Sequence, residues 1–318
     1  MKILILTEAG EGIGFGHYTR CQAIQHEMLA QQIQSEMLLN VKGSQHFEVI
    51  GSINNWLNNP DEILATKTDI DLVLIDSYLA KKSFYSRVQR NFKRVAVLDD
   101  YVRLEYGADL VINPNVYFNP LDYSEWSIGG KDFVILREPF RENLKTPPLR
   151  KAVEHLLISL GGSDFRKILP KIIRWATSTE AHQITVIDPE NALNKMQEKR
   201  VNILGRQNAE EMLSLYQETD VVVSACGQTL HELASIGKAT IGICLDIDQA
   251  KNQLYYYENG FLLRQLEWDM PNLIHAIDET LKETANFDNR QASQAIGPKL
   301  ININGVTNLV KYLNDFSC

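Results

Sequence analysis

Apolar runs of three to five residues alternate with longer stretches of helical periodicity along most of the chain. The first series is Ile3 to Leu6, Met37 to Val41, Leu72 to Ile75, Val95 to Leu98, Leu110 to Ile112 and Val134 to Leu136. Runs this short and uniformly apolar suit strands buried on both faces, and strands alternating with helices predict a parallel sheet with crossover connections. A second series comprises Leu156 to Leu160, Ile184 to Ile187, Val201 to Leu204, Val221 to Val223 and Thr240 to Cys244. Between them stands Lys145-Thr146-Pro147-Pro148, whose prolines mark a linker.

The expected fold is α/β: two doubly wound Rossmann-like domains, 1–145 and 150–300, with an interdomain cleft faced by the strand carboxyl ends of both. Residues 301–318 are a separate piece. Val306, Leu309, Val310 and Leu313 share one side of a helix over Val306 to Phe316, which predicts that it packs back on the first domain.

Composition narrows the partners. A net charge of −8 over 318 residues disfavours a broad nucleic-acid surface, though it leaves room for a local phosphate site. No stretch approaches the roughly 20 apolar residues of a membrane span, and Glu8 cuts the opening run well short of a signal-peptide core. A cytoplasmic protein is expected, a monomer rather than an obligate oligomer. Cys21, Cys226, Cys244 and Cys318 are scattered without a C-x-x-C pair, so they read as reduced thiols rather than as a disulfide framework or a zinc site. Neither metal nor cofactor is expected.

Candidate chemistry gathers where strands hand over to helices. Gly10, Gly12, Gly14 and Gly16 crowd the loop after the first run, but the third glycine of a dinucleotide fingerprint falls on Phe15 in one register and His17 in the other. An oxidoreductase is disfavoured. What Gly14 and Gly16 offer is a loop free of Cβ atoms, through which His17 can approach a substrate at the start of a helix beginning near Tyr18. There the helix dipole should hold the ring neutral and fit to act as a base. Asp76-Ser77-Tyr78, Asp99-Asp100-Tyr101 and Asn113-Pro114-Asn115 end other strands at the same edge. Tyr78 can hydrogen-bond a sugar or orient water, while Asp99 or Asp100 either orients the imidazole or caps the next helix.

In the second half, Gly161-Gly162-Ser163 precede an expected helix from Phe165 to Thr177, and Gly227-Gln228-Thr229 precede one ending near Gly237. Each is also an ordinary strand-to-helix turn; together they suit a nucleotide diphosphate. Glu232, about one turn inside the second helix, can accept ribose hydroxyls or simply lie in solvent. The cluster Asp246 to Gln253 offers polar partners for a sugar.

These segments, G-F-G-H-Y-T-R, D-S-Y, L-D-D-Y, A-D-L-V-I-N-P-N, S-L-G-G-S-D and G-Q-T-L-H-E-L in that order, resemble the nucleotide-sugar hydrolases of pseudaminic acid biosynthesis. Those enzymes are similar in fold to the lipid II-forming N-acetylglucosaminyltransferase, the two-domain GT-B architecture. They release UDP and free 2,4-diacetamido-2,4,6-trideoxy-altrose. The resemblance implies that His17 activates water at the anomeric carbon, with Tyr78 beside it. It further implies that Gly227, Gln228 and Thr229 hold the diphosphate, that Glu232 holds ribose, and that Asp248 and Gln249 stand where the family carries Asn-Gln. Asp248 is a departure, as is Leu136-Arg137-Glu138-Pro139-Phe140 for the family's Leu-Arg-Pro-Glu-Phe. The leading expectation is a metal-independent hydrolase of a UDP-linked amino sugar. Its alternatives are a GT-B glycosyltransferase using a UDP-sugar donor and a catalytically silent nucleotide-sugar-binding subunit.

Overall fold

The computed structural model describes residues 1–10, 12–43, 52–142, 149–193 and 198–317. The chain divides into two units, Met1–Arg137 with Asn304–Cys318, and Glu138–Ile303. The proline stretch 145–148 and Cys318 lie outside the described residues.

The first unit is built on β1 (Lys2–Gly10), β2 (Gln34–Lys42), β3 (Ser52–Ile53), β4 (Leu72–Asp76), β5 (Val95–Leu98), β6 (Leu110–Asn113) and β7 (Ser127–Gly129). All pair parallel, in the order β3-β2-β1-β4-β5-β6-β7. Alternate residues of β1 feed opposite cores. Ile3 and Ile5 pack with Tyr18, Cys21 and Ile24 of α1 (Gly16–Ala30) on one face. On the other face, Leu4 and Leu6 join Ile63 of α2 (Pro60–Thr66) and Phe84, Tyr85 and Val88 of α3 (Lys82–Asn91). The sheet is buried on both sides, which is why its strands read as continuous apolar runs.

The second unit repeats the plan with β8 (His155–Ser159), β9 (Gln183–Ile187), β10 (Val201–Leu204), β11 (Val221–Ala225), β12 (Thr240–Cys244) and β13 (Leu266–Glu267), ordered β10-β9-β8-β11-β12-β13. Its helices are α4 (Leu169–Ala176), α5 (Ala209–Glu218), α6 (Gln228–Ser235), α7 (Ile247–Glu258), α8 (Leu273–Ala285) and α9 (Phe287–Ile296). The final helix, α10 (Gly305–Ser317), belongs to the first unit and buries Val306, Leu309, Val310 and Leu313 in the α1 face. Both sheets thus reverse order once, between β1 and β4 and between β8 and β11. Doubly wound sheets bind ligands outside the strand carboxyl ends at such reversals.

Two expectations need correction. Val134 to Leu136 is no strand: this buried segment follows a short 3-10 turn, and Gly305 packs so closely that a Cβ there would meet the Val134 carbonyl oxygen at 2.2 Å. Its apolarity serves the core, where Ile135 joins Val306 and Leu309, and Ser127–Gly129, whose one large apolar residue is Ile128, takes the sheet edge instead. The helix expected from Phe165 begins only at Leu169. Lys167 adopts a left-handed backbone (φ 56°), and the Asp164 carboxylate accepts from the Ile168 and Leu169 N–H groups, so the chain turns once more before the helix starts.

Candidate functional site

In the first unit the chain leaves β1 through a tight glycine turn. Gly10 and Gly14 exchange backbone hydrogen bonds of 3.0 and 2.9 Å, and α1 opens at Gly16 without a side-chain cap. Gly14 sits at φ 77° with open space where a Cβ would be. His17, second in the helix and only 6% exposed, places Nδ1 2.7 Å from Oδ1 of Asp76, the last residue of β4.

Asp76 is gripped a second time. Arg20, one helical turn beyond His17, donates from Nε to its Oδ2 and from Nη2 to its Oδ1, both at 2.6 Å, and from Nη1 to Asp100 Oδ1 at 2.7 Å. Tyr78 donates its hydroxyl to Asp100 Oδ2 at 2.5 Å and packs edge-on to His17 with ring centroids 4.3 Å apart. Asn115 completes the shell around Asp100. An ionised Asp76 only accepts, so the shorter 2.7 Å contact assigns the imidazole hydrogen to Nδ1, although the Arg20 Nη2 donor lies 3.2 Å from the same nitrogen. Nε2 is then the nitrogen left for chemistry.

Electrostatics here overturn one expectation. Burial pulls the His17 pKa down, but the charge and hydrogen bond of Asp76 outweigh it and hold the imidazole above its usual 6.5. The helix dipole does not decide the ring's state; Asp76 does. Burial would raise Asp76, yet Arg20 and His17 keep it far below the ordinary carboxylate range, and Arg20 likewise lowers Asp100 against burial.

Asp99 and Asp100 do not orient the imidazole. Asp99 accepts from the Val102 and Arg103 N–H groups and from the Tyr106 and Tyr123 hydroxyls, bracing an irregular loop rather than capping a helix. Three residues that hold the site were not expected. Glu8, buried within β1, accepts from the Tyr78 and Leu79 N–H groups and from the Ser77 hydroxyl. Arg103 donates to the Ser77, Tyr78 and Ala80 carbonyls. Arg20 is the third. Its spacing of three from His17 on a helix was the signal that could have found it.

In the second unit, Gly227 stands at the N-terminus of α6 with no side-chain cap, and Gln228 and Thr229 form the first turn, half-buried. The neighbouring α7 is capped by its own Asp246. Gln249 Oε1 accepts from the Cys226 N–H at 3.2 Å and the Leu245 N–H at 3.1 Å, clasping the loops that follow β11 and β12. A Cβ on Gly227 would lie 3.7 Å from the Gln249 amide nitrogen, so the Gln249 side chain lies beside the start of α6. Asp248 is half-buried in the first turn of α7, and Glu232 is buried on α6, 1% exposed.

Gly161, Gly162 and Ser163 follow β8, beside β11, but the arrangement does not recur there: Asp164 already occupies the amides at the start of α4. Burial raises the Asp164 pKa despite those bonds. Within the cluster Asp246 to Gln253, Asn252 and Gln253 are buried, and Gln253 Nε2 stitches Gly242 to Leu266 across β12 and β13. Gln253 serves the sheet rather than a sugar. Cys21, Cys226 and Cys244 are free, buried thiols. Among the described residues no group of three or more His, Cys, Asp or Glu is placed to hold a metal ion, and no helix is long and apolar enough to cross a membrane.

Comparison with known proteins agrees with the two-sheet architecture. The chain is 24% identical to the uncharacterized protein MJ1062 of Methanocaldococcus jannaschii, over 74% of this chain and 54% of that one. It is also 24% identical to the spore coat polysaccharide biosynthesis protein SpsG of Bacillus subtilis, over 72% and 61%. It therefore spans little more than half the length of these curated relatives. The MurG structure from Acinetobacter baumannii superposes with a TM-score of 0.62 at 15% identity, covering 99% of this chain and all of the other, and shares the GT-B fold. Residues 128–310 match the glycosyltransferase family 28 C-terminal domain, and the chain belongs to that family.

Proposed function

We propose that this protein is a hydrolase that releases UDP and a free amino sugar from a UDP-linked sugar, with His17 as the base. The observation that carries the reading is the His17–Asp76 pair: Nδ1–H is committed to a carboxylate, leaving Nε2 as the proton acceptor. Water attacks the anomeric carbon while its proton passes to Nε2. The bond from that carbon to the diphosphate oxygen breaks, and the electron pair leaves with UDP. Asp76 stabilises the imidazolium that forms, and Tyr78, fixed by Asp100, orients the sugar or the water.

On the second unit, the uncapped start of α6 at Gly227, Gln228 and Thr229 suits a diphosphate, whose growing charge its amides stabilise. Glu232 is assigned to the ribose, Gly161, Gly162 and Ser163 to the nucleotide side, and Asp248 with Gln249 to the sugar. Likeness to a spore coat polysaccharide biosynthesis protein supports a place in surface polysaccharide assembly, with a 2,4-diacetamido-2,4,6-trideoxy sugar as the substrate proposed. A second reading, transfer of the sugar to an acceptor hydroxyl deprotonated by the same base, is favoured by the glycosyltransferase family 28 match.

UDP release from candidate UDP-diacetamido sugars, measured without any acceptor, separates the two. A hydrolase turns over, and NMR finds the inverted anomer of the free sugar; a strict transferase is nearly inactive. His17→Ala and His17→Asn should abolish release while leaving UDP binding intact, and undiminished turnover in either variant would overturn the assignment.

A further inference from the structure

A cleft of about 780 Å³ opens in the first unit over the carboxyl ends of β2 and β3, in the size range of small-molecule sites. Its walls include Asn40, Lys42, Asn54, Lys81 and Phe84. Asn40 is only 7% exposed and Asn54 half-buried, and both line the cleft with amide side chains. The charge is equally distinctive. Arg87 is paired with Asp61, but Lys42 and Lys81 have no carboxylate partner among the described residues, on a chain whose net charge is −8.

We propose that this cleft binds an anionic carbohydrate, its carboxylate or phosphate between Lys42 and Lys81 and its hydroxyls on the amides of Asn40 and Asn54. The apolar floor, Phe84 and Leu57, suits the C–H face of a sugar ring. The cleft adjoins the His17 turn without being part of it. Lys42 Nζ lies 4.0 Å from where a Cβ on Gly12 would be, and Leu79, which follows Tyr78, also lines the cleft. The proposal stands on the cleft alone and does not depend on the UDP-sugar chemistry.

Titration of the full chain with glucuronate, glucose 6-phosphate and neutral glucose, followed by NMR amide shifts, tests it. At least one anionic sugar should bind ten or more times tighter than glucose, and inorganic phosphate or acetate alone should bind at least tenfold more weakly than that sugar. Which of the two binds tells a carboxylate from a phosphate ligand. The double variant Lys42→Glu/Lys81→Glu, both positions being exposed, should keep its fold and its UDP affinity but lose at least tenfold for the anionic sugar. Asn40→Ala should erase the preference for the sugar over the bare anion. No binding by either anionic sugar, equal binding of glucose, or an unchanged double variant would overturn the proposal.

Discussion

At the scale of single residues, the His17 imidazole answers to two opposed influences whose balance can be tested. Burial and the Arg20 cation favour the neutral ring; Asp76 favours the charged one and prevails. Folding therefore gains from the pair while the ring is charged: that contribution is full below pH 6.5 and is lost as pH rises through the higher folded value. Catalysis runs the other way, because the base must be neutral, so UDP release should climb with pH through that same value. Asp76→Asn removes the main raising influence and leaves burial and Arg20, which lower the pKa, opposed only by the weaker effect of Asp100. The acidic limb of kcat/KM should move to lower pH, while the plateau falls by roughly 10²–10⁴-fold because the tautomer is no longer enforced. A limb that stays put or moves up would show that Asp76 does not govern His17. The choice of Asp76 over Asp99 and Asp100 was not legible in the sequence, where all three acids simply end apolar runs. It depends on which strand lies beside β1, and β4 does, with Asp76 opposite Thr7.

At the scale of elements, the glycine turn divides into positions that need glycine for different reasons. Gly10 has φ 122°, and a Cβ there would stand 2.1 Å from the Lys42 carbonyl oxygen, where β2 runs alongside. Gly14, at φ 77°, would meet nothing within 4 Å. Gly10→Ala should thus cost at least about 2 kcal/mol and disturb the β1–β2 pairing, whereas Gly14→Ala should cost only about 1 kcal/mol of backbone strain. Chemical denaturation of the two variants measures the difference, and equal costs would refute the close approach. The same contrast explains what could be read in advance. Strands buried on both faces announce themselves, and Val95–Leu98 and Thr240–Cys244 lie where their apolar runs predict. Not every edge strand does: Ser127–Gly129 has one large apolar residue, Ile128, while the apolar Val134 to Leu136 is buried beside a helix from the far end of the chain. Helix starts depend on local hydrogen bonds such as those of Asp164, which composition cannot weigh.

At the scale of the whole molecule, two units of the same strand order differ in how the chain completes them. The second is continuous, Glu138–Ile303, but the first is closed only when the chain returns as α10. Val306, Leu309, Val310 and Leu313 are all fully buried there, in the same cluster as Ile3 and Ile5 of β1 and Ile24 of α1, which carries His17. Removing a buried side chain of this kind costs about 2–5 kcal/mol. Four together reach the order of 10 kcal/mol, as much as the entire stability of an ordinary domain. A chain ending at Ile303 should therefore lose the fold of its first unit, although every residue of the His17, Asp76, Arg20 and Tyr78 network is retained. Hydrogen exchange distinguishes this from general destabilisation: amides of β1, β4 and α1 should lose protection while those of β8 and β11 keep theirs. Unchanged protection of β1 would mean that α10 only decorates the first sheet, and equal loss in β8 would mean that the two units do not fold separately.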